Sequence, residues 1–212
     1  EACNVSLSRP ARDIANKIIQ KMHDDHTAWT GITLNQIVNR VYNIRSNLKG
    51  EDVFRTIEED ICRLTTDGQS SFLQFNVAWS NDTKLHMVTG FAYPKLLQKL
   101  RGSKHMFIDA TFRCTPNPFS QTLIIMVWDD ENEYYLPVMW ILMTGKTEND
   151  YVEATHRLIT AMDWKITPLS ITCDFEQALI NAMDLQFVKN GGPVGNGGTT
   201  SLNGCHFHMK QA

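Results

Sequence analysis

The spacing of apolar residues changes period along the chain, from helical at the front to alternating at the back. Ile14, Ile18 and Met22 recur at helical spacing, and so do Leu34, Ile37, Val38, Val41 and Ile44; each set makes one apolar face. Ser8 followed by Pro10 reads as a cap with proline in the first turn, and Thr30-Gly31 separates the two helices. A third helix is expected over residues 51–64, with Glu58, Glu59 and Asp60 on a solvated face. The period then shortens. Residues 71–79 and 84–91 read as two strands of a hairpin turning at Ser80-Asn-Asp-Thr83, followed by a short helix over residues 93–100 that Arg101-Gly-Ser103 ends.

Beyond residue 104 strand signals dominate. Phe107-Ile-Asp-Ala-Thr-Phe112, residues 121–128 and residues 134–143 form a three-stranded meander, with the four acids among residues 129–133 at a hairpin tip. A helix follows over residues 149–162, capped by Thr147, with Val152, Thr155, Leu158, Ile159 and Met162 on its inner face. The run Leu169-Ser-Ile-Thr-Cys-Asp174 is the next strand, and the intervening helix makes it parallel to the strand of Asp109. Another helix spans residues 176–185, the glycine-rich loop over residues 191–198 is too irregular for a phosphate-binding signature, and residues 202–208 read as a fifth strand. The expected organisation is a helical region over residues 1–69, a hairpin and helix lead-in over 70–104, and a mixed α/β core over 105–212.

Two acids stand out against this pattern. Asp109 lies inside an apolar strand, where an unpaired carboxylate is disfavoured, and Asp174 ends a second apolar run. On parallel neighbouring strands the two converge, and converging carboxylates suit a hard, oxygen-seeking divalent cation such as Mg²⁺ or Mn²⁺.

Charge refines the picture. The net charge is −3, yet residues 1–50 hold 7 Lys/Arg against 4 Asp/Glu, whereas residues 105–212 hold 6 against 12. The acidic half is poorly suited to grip nucleic acid unaided. Arg40, Arg45 and Lys49, on the solvent side of the second helix, are the candidate DNA contacts of the basic front. The two helices read either as a helix-turn-helix or as an ordinary paired helical subdomain. Five scattered cysteines argue for a reducing compartment, with Cys114 and Cys173 as small core residues. No apolar run is long enough for a membrane span, and the start, Glu1-Ala-Cys-Asn, reads as that of an excised piece.

Meander, helix, parallel strand, helix, strand is the order of an RNase H-like domain. Phe107-Ile-Asp109-Ala-Thr-Phe, Cys173-Asp174-Phe-Glu-Gln-Ala-Leu and Cys205-His-Phe-His208 together resemble the transposase domain of eukaryotic Mutator-like elements, over about residues 70–212. The resemblance implies a DDE-type nuclear enzyme in which Asp109 and Asp174 are catalytic and hold Mg²⁺ or Mn²⁺, acting on transposon-end and target DNA, without a membrane and as a homo-oligomer. It implies a structural or DNA-positioning role for the Cys-x-x-His element, Cys205 and His208. It also implies a third acid, a Glu on a helix past the fifth strand. Glu176 follows Asp174 too closely to serve and reads as a first-turn Glu. On this reading the chain, which stops at Ala212, holds metal loosely and cleaves DNA poorly. Two alternatives stay open: a domesticated, non-catalytic DNA-binding protein, and another RNase H-like nuclease with Glu148 or Glu153 as an early acid.

Overall fold

The structure is a computed structural model that describes residues 11–25, 31, 33–49, 53–81, 84–189 and 200–205. Two compact units are present, Glu1–Thr66 and Asp67–Ala212. In the first, α1 (Ala11–Asp24) and α2 (Leu34–Lys49) pack through Ala11, Ile14 and Val41, with Ile18 and Val38 against them. These are residues of the expected apolar faces. A reciprocal capping box opens α2: the Thr33 backbone N–H donates to Gln36 Oε1 at 2.7 Å, and the Gln36 N–H donates to Thr33 Oγ1 at 3.3 Å. Ser8 and Pro10, read as the start of the first helix, lie outside the described residues.

The single helix expected over residues 51–64 is corrected to two short ones, α3 (Val53–Thr56) and α4 (Asp60–Arg63). Glu59 is extended between them at φ −70°, ψ 149°, so Asp60 falls in the first turn of α4. A helix N-terminus carries partial positive charge and favours that acid.

The second unit is organised on a single sheet. Its elements are β1 (Leu73–Asn81), β2 (Lys84–Phe91), α5 (Pro94–Gly102), β3 (His105–Thr111), β4 (Gln121–Asp129), β5 (Tyr134–Met143), α6 (Glu148–Ala161), β6 (Ser170–Cys173), α7 (Gln177–Met183), a π-helical turn (Asp184–Lys189) and β7 (Ser201–Gly204). The seven strands run in the order β1-β2-β5-β4-β3-β6-β7. Pairing is antiparallel from β1 to β3 and parallel for β3 with β6 and β6 with β7. The part from β5 to β7 has the order that an RNase H-like sheet requires, with the strand of Asp109 in the middle. The hairpin β1–β2 extends the same sheet by pairing with β5.

One face of the sheet carries the core. Met106, Ile108, Leu123, Ile125, Val127, Ile141 and Ile171 are buried with Leu97 and Leu100 of α5, Tyr151, Ala154, Leu158 and Ile159 of α6, and Leu179 and Met183 of α7. The apolar face expected for α6 is found, shifted to include Tyr151 and Ala154. Pro137, which cannot donate to a ladder, sits where the register of β4 and β5 shifts, opposite Met126. The strand expected over residues 202–208 ends at Gly204 among the described residues; His206 and His208 lie outside them. No described helix is long and apolar enough to cross a membrane.

Candidate active site

Parallel pairing of β3 and β6 sets the two acids level. Ile108 pairs with Cys173, so Asp109 and Asp174 each stand one residue past the last paired position, on strands that lie about 4.8 Å apart in any sheet. Met106 and Ile108 are buried in the core, whereas Phe107 and Asp109, pointing the other way, are half-buried. Asp109 therefore sits on the less covered face, opposite Ile124 of β4. Asp174, also half-buried, accepts the Phe175 backbone N–H at 2.6 Å through Oδ1.

The helices behind the strand ends hold the remaining acids in place. Glu176 is extended at the N-cap of α7, and its Oε2 accepts the Tyr151 hydroxyl at 2.7 Å; Tyr151 in turn accepts Gln121 Nε2 at 2.8 Å. Burial first, then the bond to Glu176, raises Tyr151 above its ordinary pKa, so it stays a donor to that carboxylate. Glu148 Oε2 accepts Asn181 Nδ2 at 2.8 Å, joining the start of α6 to α7. Asp150 is buried: Oδ1 accepts His86 Nδ1 at 2.7 Å, and Oδ2 accepts the Thr147 N–H and hydroxyl at 2.8 and 2.7 Å. Thr147 is thus the expected cap, within a full capping box.

The donor set fits a hard divalent cation as two carboxylates on neighbouring strands. Among the described residues no group of three or more His, Cys, Asp or Glu side chains is placed to hold a metal ion. Glu176, Glu148 and Asp150 are engaged as just described.

Cysteine chemistry is split. Cys173 is buried, and burial, followed by the nearby Asp174 and Cys205, pushes its thiol up to about 11. Cys114, expected in the core, is instead exposed, because it lies in the turn after β3. Cys205 is half-buried and its backbone N–H donates to the Cys173 carbonyl at 2.8 Å, continuing the β6–β7 ladder to the end of the carboxylate strand. Its partner in the Cys-x-x-His element, His208, is outside the described residues. Arg40 is exposed on α2, while the side chains of Arg45 and Lys49 are outside the described set.

Two features were not singled out by pattern. Lys146 Nζ lies 4.0 Å from the centroid of the Phe112 ring, just past Asp109, and Phe112 and Phe175 are 51% and 50% exposed beside the two acids. A phenylalanine wedged between Asp174 and Glu176 is the signal that sequence reading passed over. At the other end of β3 lies a cleft of about 710 Å³, lined by Lys99, Lys104, His105, Trp128, Asp129 and Glu131 among others. The tip acid Asp129 is buried there, bonded to Asn132 Nδ2 and to the Glu131 N–H, which hold its pKa below the ordinary value. It is a brace for the tip and lies away from the paired carboxylates.

No curated protein and no solved structure matches the chain. The family model of the MULE transposase domain matches residues 105–212, just over half of it and the part that holds both strand-end acids. By that match the chain belongs to the MULE transposase domain family.

Proposed function

We propose that residues 105–212 are the metal-dependent strand-cleaving core of a DDE-type transposase, with Asp109 and Asp174 as two of its acids. The observation that carries this reading is the register of β3 and β6, which sets two carboxylates side by side at the strand ends within the family-matched segment. A bound divalent cation supplies charge neutralisation and an activated oxygen nucleophile at a phosphodiester. The chain's own residues contribute positioning. Asp109 is fixed by its place inside the β3 ladder, and Asp174 by its bond to the Phe175 N–H. Both present hard oxygen donors, unlike the sulfur of Cys205, which suits Mg²⁺ poorly. Among the described residues no third acid stands with these two in a group placed to hold a metal ion.

Calorimetry tests the assignment without relying on turnover. Asp109→Asn and Asp174→Asn should each weaken Mg²⁺ or Mn²⁺ binding while leaving the fold intact or slightly more stable, because each removes repulsion between neighbouring like charges. Equal metal affinity in the parent chain and both variants overturns the reading. Cleavage of labelled duplex DNA in Mn²⁺ is the second measurement. Nicking that survives Asp109→Asn counts against the assignment. Metal binding lost in neither variant, together with DNA binding that persists, favours the non-catalytic alternative.

A further inference from the structure

We infer that Phe112, Phe175 and Lys146 form a binding site for an unpaired nucleotide of the DNA substrate, holding its base against an aromatic ring beside the carboxylate pair. This rests on the DNA-cleavage reading above.

The sheet edge supplies the placement. Taken across the strand ends, Lys146 follows β5, Phe112 follows β3, Phe175 follows β6 and Gly204 ends β7. Phe112 leans toward the β5 side, where Lys146 meets its ring at 4.0 Å. Phe175 leans toward the β7 side: a Cβ added to Gly204 would collide with the Phe175 ring, so that ring lies directly over the glycine. The two rings thus follow the strands of Asp109 and Asp174, one against Lys146 and the other against Gly204.

Their exposure is what calls for a ligand. The chain has a large core on this sheet, yet these two phenylalanines are left 51% and 50% exposed next to the acids, losing the burial that normally stabilises such side chains. Their positions are nevertheless built. Phe175 is pinned by the bond from its N–H to Asp174 Oδ1 and by the bare backbone of Gly204 beneath it.

The adjacent charge selects the ligand class. Lys146 and the exposed Arg113 have no carboxylate within ion-pairing distance among the described residues. Exposed aromatic faces beside free cations recognise a base and its phosphate. A paired duplex offers stacked bases only at its ends, so the rings select a nucleotide that is unpaired or turned out of the stack. Held there, it would fix the neighbouring phosphodiester over the acids.

The test uses the whole chain without divalent metal, so that binding is read apart from cleavage. Two labelled duplexes are compared by anisotropy, identical except that one carries a single unpaired 2-aminopurine, whose emission also reports its stacking. The parent chain should prefer the duplex with the unpaired base. Phe112→Ala and Phe175→Ala should each reduce that preference by about tenfold, the scale of one lost base–ring stack, with affinity for the paired duplex retained. Phe175→Trp should restore the preference, and Gly204→Ala, which displaces the ring, should diminish it. Lys146→Ala should weaken both duplexes together, as expected for a phosphate contact. Absence of DNA binding, equal binding of both duplexes by the parent chain, or an unaltered preference in both alanine variants overturns the inference. Cleavage that survives in Asp109→Asn instead overturns the strand-cleavage reading, so the two failures are distinct.

Discussion

At the scale of single residues, the chemistry of a side chain follows its surroundings more than its type. Cys173 and Cys114 are the same residue at the ends of adjacent strands, yet one is buried beside Asp174 and the other lies in an open turn. Iodoacetamide at neutral pH should therefore label Cys114 rapidly and Cys173 only on unfolding, as read by mass spectrometry of the labelled peptides. The same burial has a pH signature. The folded thiol's pKa, raised from 9.0 to about 11, exceeds its unfolded value. Its contribution to stability is full below 9.0 and is lost as pH rises from there toward 11, because the unfolded chain ionises first. Cys173→Ala should flatten that alkaline decline in urea titrations.

Asp150 is the residue with most to lose. It closes the cap of α6 and receives His86 from β2, both inside the core unit. Asp150→Ala should destabilise the fold by about 2–4 kcal/mol, the sum of a lost cap and a lost buried hydrogen bond, measured by chemical denaturation.

Elements are held by particular side chains at their joints. The β1–β2 hairpin enters the sheet at Gly90, which pairs with Phe75 across the strands and with Ile141 of β5. The Phe75 ring lies over the glycine, so a methyl group there would strike it. Gly90→Ala should cost about 1–3 kcal/mol, as overpacking does, and the Phe75→Leu background should recover part of that loss. A loss no smaller in that background would show that Gly90 is needed for another reason. At the far end of β4, Asp129 gathers the turn and lies 3.7 Å from Lys99 of α5, giving the acidic tip a structural use.

For the whole molecule, charge is divided between front and back. With 12 acids against 6 bases in residues 105–212, the α/β core has little electrostatic attraction for DNA. The basic first 50 residues should carry much of the salt-dependent affinity. Arg40→Ala should make the dependence of DNA affinity on salt shallower by about one unit of slope, measured by anisotropy across a salt series. An unchanged slope would remove Arg40 as a phosphate contact.

Much of this architecture was legible in local pattern, because strand and helix periods are local properties of the chain. The meander, the parallel β6, the capped α6 and the paired front helices all follow from spacing and cap residues. Asp109 stood out for a similarly local reason, a carboxylate inside an apolar strand. Other features needed three dimensions. The joining of the β1–β2 hairpin to β5 is set by which backbone groups find partners far along the chain. The same holds for the site's periphery. Neither the lysine over Phe112 nor the glycine under Phe175 has any sequence signature, since each contact joins residues far apart along the chain. Local periodicity determines which face a residue takes; only the packed sheet determines what stands beside it.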